Sequence, residues 1–303
     1  FPDVVTLADA PQDNVLAHWS GLGYYARARN LHKSAQQIRD QHKGEFPHDM
    51  DDVLELPGVG RSTAGAILSI AGKQRHAILD GNVKRVLARH EAFGGWPGKS
   101  AVLKDLWIVA ERNTPQTRSA DYTQAIMDLG ATLCTRTRPS CAHCPVSEDC
   151  AARRADTISD YPGRKPKTRK PLRNTTMILA SIDGQVYLEK RPEAGIWGGL
   201  WSLPELGEVG VEEWCSNVLG SAVTETDSWR VLRHSFSHYD LDIQPIVVRV
   251  ASSAGTVADT DAGVWHELDA PPPGGIAAPV KKLIGQLKKS ENVTQSLMRH
   301  AGK

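Results

Sequence analysis

The stretch Cys134-Thr135-Arg136-Thr137-Arg138-Pro139-Ser140-Cys141-Ala142-His143-Cys144-Pro145-Val146-Ser147-Glu148-Asp149-Cys150 puts four thiols within seventeen residues, at spacings x6, x2 and x5. Ala151-Ala152-Arg153-Arg154 follows at once, and the fifth cysteine, Cys215, is distant. No basic segment leads into a short apolar one, as an export signal would. The thiols therefore read as residents of a reducing compartment, and their density points to a metal centre rather than to disulfides. Zinc sites usually pair their ligands in two short knuckles; here one tight pair, Cys141 and Cys144, is flanked by two looser arms. Such spacing can wrap a cube, and four thiolates are the usual ligands of a 4Fe-4S cluster. A structural zinc loop is the alternative.

The rest of the composition sets bounds. At 303 residues the chain is long enough for two domains with substantial cores. Lys and Arg number 36 against 35 Asp and Glu, a net charge of +1, so only local clusters speak about partners. No apolar run reaches the length of a membrane span, and the expected setting is cytoplasmic. The chain opens Phe1-Pro2-Asp3, without Met and close to the middle of a pattern, so an N-terminal segment is expected to be missing.

Upstream of the cysteines the chain reads as helical. Leu7, Val15, Leu16 and Trp19 keep a helical period, and Gly21-Leu22-Gly23 breaks it. Tyr24-Tyr25-Ala26-Arg27-Ala28-Arg29 leads into the next helix. A further helix ends at Val53, Leu54 and Leu56, and Pro57-Gly58-Val59-Gly60 forms a tight turn before Arg61-Ser62-Thr63-Ala64. Downstream, residues 162–173 hold six basic residues, three prolines and no acid, the composition of a linker that is either a solvated tether or a phosphate-tracking strap. After Asn174 strands take over: 177–180 and 186–188 flank Asp183-Gly184, a hairpin signal. Residues 197–203, 229–236 and 241–250 read as further strands, and 211–219 and 280–287 as helices. The polar tail after Ser290 is expected to be loose.

Two strings carry chemistry. Leu56-Pro57-Gly58-Val59-Gly60-Arg61-Ser62-Thr63-Ala64 is a helix–hairpin–helix signature. Gly58 and Gly60 are expected to take conformations that other residues resist, leaving backbone N–H groups and a helix start free to meet a phosphate. In Leu79-Asp80-Gly81-Asn82-Val83-Lys84-Arg85-Val86-Leu87, the apolar positions Val83, Val86 and Leu87 give a helix its buried face, and Asp80 stands before the first turn. An aspartate there caps the helix, and a helix start favours negative charge. A fixed anion so placed can stabilise or attack a sugar that is developing oxocarbenium character.

These strings and the cysteine loop, in this order, resemble the endonuclease III superfamily of DNA glycosylases, and within it the MutY adenine DNA glycosylases most closely. Endonuclease III itself carries a Schiff-base lysine where Ser62 stands here, so the resemblance implies a mainly monofunctional glycosylase. The added C-terminal domain with Arg233-His234-Ser235-Phe236-Ser237-His238 also matches MutY. The implied architecture is a mainly α helix–hairpin–helix domain over 1–153 with an iron–sulfur loop, a basic linker over 154–173, an α/β Nudix-like domain over 174–290 and a tail over 291–303.

The family reaction removes adenine mispaired with 8-oxoguanine or guanine in double-stranded DNA. The resemblance implies Asp80 as the carboxylate serving the sugar cation, Asn82 orienting groups around it, and Ser62 lining the pocket. DNA contacts are implied for Tyr24, a wedge beside the orphan base, for Arg27, Arg29 and Lys84, and for Gly58, Val59, Gly60, Arg61 and Thr63 of the hairpin. Phe236, Ser237 and His238 match the loop that inspects 8-oxoguanine, and Cys134, Cys141, Cys144 and Cys150 match the cluster ligands. Where a Nudix hydrolase would carry an Arg-Glu…Glu-Glu magnesium helix, this chain has Val211-Glu212-Glu213-Trp214-Cys215, so its C-terminal domain is expected to recognise rather than hydrolyse. The family's general acid, a glutamate that protonates adenine N7, lies before the point where the sequence starts, and impaired cleavage is expected of residues 1–303. A monomer is expected. The competing readings are an endonuclease III-like glycosylase/lyase and a DNA-binding iron–sulfur module without catalysis.

Overall fold

The computed structural model describes residues 1–166, 169–251 and 263–301, and of 293–301 the backbone only. It divides into two compact units, Phe1–Gln36 with Arg169–Lys303, and Gln37–Thr168.

The second unit is helical. Helix α3, Ala26–Gln41, follows α1, Val4–Asp9, and α2, Gln12–His18, and runs into this unit. Then come α4, Met50–Glu55, α5, Arg61–Ile70, α6, Gly81–His90, α7, Ser100–Asn113, and α8, Ser119–Asp128, which continues as a π-helical segment Leu129–Leu133. A short 3-10 turn, Cys141–His143, and α9, Ala151–Arg154, complete it. Leu79, Val83, Val86 and Leu87 pack against Leu106, Val109 and Ile126, so α6 is the buried centre that its apolar period predicts. Helix α5 lies so close to the segment before α6 that a Cβ on Gly65 would sit 2.7 Å from the Ala77 carbonyl oxygen.

In the first unit an eight-stranded sheet runs in the order β3-β2-β1-β7-β5, with β4 on β1, β6 on β7 and β8 on β2. The strands are β1, Leu172–Ile182, β2, Gln185–Lys190, β3, Trp201–Ser202, β4, Glu205–Leu206, β5, Val223–Ser228, β6, Leu232–Ser235, β7, Asp240–Val250, and β8, Gly263–Glu267. The hairpin between β1 and β2 turns on Asp183 and Gly184, both at positive φ (47° and 80°), which is the turn an Asp-Gly pair favours. Alternate β1 residues bury on opposite faces: Ile178 and Ala180 join Trp214 and Leu219 from the α10 side, and Met177 and Leu179 join Val280, Leu283 and Leu287 of α11. Here α10 is Val211–Trp214, extended by a π-helical Cys215–Leu219, and α11 is Ala278–Ala301. The chain is thus a mainly α helix–hairpin–helix fold joined to a Nudix-like α/β sheet fold.

Several segments differ from the sequence expectation. Residues 197–200 form a turn rather than a strand because Trp197 and Gly199 take positive φ (55° and 70°), leaving only β3. The expected strand 229–236 shortens to β6, while Trp229 N–H bonds the Pro245 carbonyl outside it. The linker's last residues, Leu172 and Arg173, already pair with Asp240 and Leu241 in β1. Helix α11 runs on through the stretch expected to be a loose tail, to Ala301; residues 302–303 lie outside the described residues. Gly65→Ala tests the packing of α5: helix propensity would favour alanine by up to about 1 kcal/mol, but the clash with a backbone carbonyl costs about 1–3 kcal/mol. The variant is expected to melt several degrees lower in thermal denaturation.

Candidate active site

The hairpin turn before α5 uses one strained glycine, not two. Gly58 sits at φ 78°, whereas Gly60 caps α5 at φ −102°, a conformation open to any residue. Nothing lies within 4 Å of where a Gly60 side chain would begin, so the fold itself gives no reason for its absence. Arg61 turns away from the helix start: its guanidinium lies 2.8 Å from the Glu111 carboxylate and 3.9 Å above the Trp107 ring. Val59 is half-buried and Thr63 exposed at the same end.

Ser62 and Asp80 are brought together through one backbone residue. The Leu79 N–H donates to Ser62 Oγ at 2.9 Å, which pins the chain just ahead of Asp80. Asp80 caps α6, its Oδ1 accepting from the Val83 N–H at 2.7 Å, and among the described residues none bonds Oδ2. Ser62 is thus half-buried and bonded, not a solvent-facing serine. Two residues on, Asn82 Oδ1 accepts from Arg85 Nη2 at 2.9 Å. The same guanidinium donates to the Gly130 carbonyl at 2.5 Å and, through Nε, to the Cys134 carbonyl at 2.7 Å. Gly130 must be glycine here, since a Cβ would stand 2.7 Å from Asn82 Cβ. Lys84 lies half-buried on α6.

One turn further along α6, Arg89 is only 5% exposed. It donates to the carbonyls of Thr135 (2.7 Å), Tyr161 (3.0 Å) and Arg136 (3.2 Å), and Nη1 approaches Cys134 Sγ at 3.4 Å. The sequence reading missed Arg85 and Arg89; two arginines four apart beside an apolar helix face were the available signal. All four loop cysteines are free and half-buried, and they line one pocket with Arg89 and Arg153. Burial, and after it the neighbouring thiols Cys134, Cys144 and Cys150, hold the Cys141 thiol above its ordinary pKa, with Arg89 opposing. Among the described residues no three His, Cys, Asp or Glu side chains converge tightly enough for a single metal ion. The four thiols that share this pocket are the donor set that a cluster or a single ion would use.

The other unit holds the remaining expected residues. Tyr24 is 78% exposed at φ 49°, behind Gly21 and Gly23, which are also at positive φ. Arg27 lies 5.4 Å from the Trp19 ring centroid and 5.7 Å from that of Tyr24. Arg29, expected to meet phosphate, instead donates to the Gly198 carbonyl at 2.6 Å. Between β6 and β7, Ser237 and His238 stand exposed, with Ser237 Oγ 3.3 Å from His238 Nδ1. Phe236 stacks on Tyr239 at 4.7 Å and meets His234 edge-on at 4.6 Å and Trp197 at 5.5 Å. The burial that this box imposes lowers the pKa of His234.

Residues 1–112 match the HhH-GPD superfamily of base excision DNA repair proteins, and residues 175–286 match the NUDIX domain. The adenine DNA glycosylase of Buchnera aphidicola from Acyrthosiphon pisum is 34% identical over 96% of this chain and 83% of its own length. The chain belongs to the MutY-type adenine DNA glycosylases. It is therefore a DNA glycosylase of base-excision repair. The human adenine DNA glycosylase is 34% identical over 68% of this chain and 46% of its own. A thermostable thymine-DNA glycosylase structure is 26% identical over 51% of this chain and 71% of that one, at a TM-score of 0.46. No helix among the described residues is long and apolar enough to cross a membrane.

In this MutY-type chain, Arg89→Met keeps the buried stem and removes the guanidinium donors to the Thr135, Arg136 and Tyr161 carbonyls. Stranding those acceptors is expected to lower stability by about 3 kcal/mol, read as a lower urea midpoint.

Proposed function

We propose that the chain removes adenine mispaired with 8-oxoguanine or guanine from double-stranded DNA. The observation that carries this reading is the setting of Asp80: one oxygen is held by the Val83 N–H at a helix start, and the residue before it is pinned by Ser62. Breaking the N-glycosidic bond leaves positive charge on the sugar. A carboxylate already fixed in place stabilises that charge without reorganising, or adds to the anomeric carbon. Ser62 offers no amine for a Schiff base, which favours hydrolysis over lyase chemistry. Asn82, held by Arg85, orients groups beside the carboxylate.

On the DNA side, the 58–60 turn with Thr63 takes a phosphate at the start of α5; Gly60, bare without an internal reason, leaves room for a backbone to approach. Lys84 and Arg27 meet the strand, while Arg61 and Arg29 do so only on leaving the bonds they already make. Tyr24 enters the duplex beside the orphan base, where an exposed aromatic helps offset an unstacking cost of a few kcal/mol, roughly. Phe236, Ser237 and His238 inspect that base, and Ser237 distinguishes the N7–H and O8 edge of 8-oxoguanine from guanine. Functionally the division remains glycosylase 1–153, linker 154–173 and recognition domain 174–290, followed by a tail.

Cys134, Cys141, Cys144 and Cys150 would hold a 4Fe-4S cluster. When bound, the cluster supplies a rigid staple for the loop that ends in Arg153 and Arg154. Iron and acid-labile sulfide assays of the purified chain are expected to give about four of each per chain; one zinc and no sulfide would sink the cluster assignment.

Single-turnover adenine release from a duplex with adenine opposite 8-oxoguanine tests the reaction. Asp80→Asn is expected to slow that release about 10²–10⁴-fold while duplex binding persists. Unchanged release in Asp80→Asn would remove Asp80 from the chemistry, and adenine release as fast opposite thymine as opposite 8-oxoguanine would refute the substrate.

A further inference from the structure

The basic linker ends on the recognition turn. Lys170 Nζ donates to the Phe236 carbonyl at 2.8 Å, and the Pro171 carbonyl accepts from the Asp240 N–H at 3.0 Å. Leu172 and Arg173 pair in parallel with Asp240 and Leu241. The Arg173 guanidinium carbon lies 4.6 Å over the Tyr239 ring, the ring on which Phe236 stacks. Four consecutive linker residues therefore hold both ends of the 236–239 turn. Aromatic contacts fix the Phe236 ring, and the Phe236 N–H, bonded to the Tyr239 carbonyl at 2.9 Å, fixes the peptide before it; neither reaches the Phe236–Ser237 peptide that follows. The carbonyl of Phe236 and the N–H of Ser237 belong to one planar unit and point in opposite directions. Whatever fixes that carbonyl also fixes the direction in which Ser237 is presented.

We propose that Lys170 is a positioning residue for lesion recognition: its bond to the Phe236 carbonyl sets the Phe236–Ser237 peptide, and through it the Ser237 face that meets the 8-oxo edge of the purine. This rests on the reading of Ser237 given above. It gives the linker a role beyond tether or phosphate-tracking strap, because a lysine spent on a protein carbonyl contributes to specificity, whereas one spent on phosphate contributes only to affinity.

The test measures equilibrium binding of the 303-residue chain to two duplexes. Both carry a non-cleavable adenine analogue, opposite 8-oxoguanine in one and opposite guanine in the other, at two salt concentrations. Ser237→Ala controls for the underlying reading: wild type is expected to prefer the lesion, and this variant to lose part of that preference. Lys170→Met is expected to reduce the preference about 3- to 10-fold, the net worth of one ordinary hydrogen bond at an exposed site, with guanine-duplex affinity and salt slope retained. Lys170→Arg, which keeps a donor, is expected to restore most of it. Equal weakening on both duplexes with a salt slope smaller by about 1 would make Lys170 a phosphate contact and overturn the proposal. An unchanged preference in Lys170→Met, alongside a reduced one in Ser237→Ala, would overturn it as well. Wild type without any preference would instead refute the reading of Ser237, and the proposal with it.

Discussion

A guanidinium cannot leave water without finding other acceptors, and Arg89 has left water almost completely. Its bonds to the carbonyls of Thr135, Arg136 and Tyr161 make the start of the cysteine loop and the chain beyond its end share one partner. The cost of moving any of them is a stranded charge, which is larger than the worth of a single neutral contact. Arg85, one turn earlier, repeats the arrangement with Gly130 and Cys134. Helix α6 is consequently clamped along the face that does not carry its apolar stripe. Asp80, at the start of the same helix, inherits a fixed backbone from contacts that begin about two turns away.

The turn proposed for recognition is built differently. The 236–238 residues sit on a turn, where no helix ladder holds the backbone. One backbone bond, Phe236 N–H to the Tyr239 carbonyl, closes the turn, and rings do the rest: Phe236 lies among Tyr239, His234 and Trp197, and Trp197 reaches them from a turn at positive φ. Ring packing is tolerant of small rotations, while a hydrogen bond to a carbonyl is not. The turn therefore needs both kinds of contact to present a hydroxyl in one direction. Beneath it, the long parallel register of β1 and β7 supplies a base buried on both faces.

Local signals in the sequence were legible where one residue type has one physical use. Asp183-Gly184 gave its hairpin, Asp80 its cap, and the 83–87 apolar period its buried helix. The strand expected over 197–203 failed because aromatic and apolar content cannot reveal a positive φ at Trp197. Arg29 and Arg61 read as free cations because their partners, Gly198 and Glu111, are remote in sequence. Arg85 and Arg89 were passed over for the opposite reason: charge on a helix ordinarily means solvent, and only the fold shows that theirs points at carbonyls. The spacing of the cysteines marked them as a group, but the pocket they share appears only when the loop is closed.

The serine at position 62 has a consequence beyond the nucleophile it lacks. Its oxygen is the acceptor for the Leu79 N–H, so it works here through a lone pair rather than through its proton. An ammonium has three donors and no lone pair, and a neutral amine spends its single lone pair on the sugar carbon it attacks. A lysine at this position would bring a Schiff-base amine and at the same time orphan the amide next to Asp80. Exchanging one chemistry for the other is thus a change in hydrogen-bond polarity, which the backbone ahead of the carboxylate would have to accommodate. The two reaction types differ in the wiring of the chain as well as in the identity of one side chain.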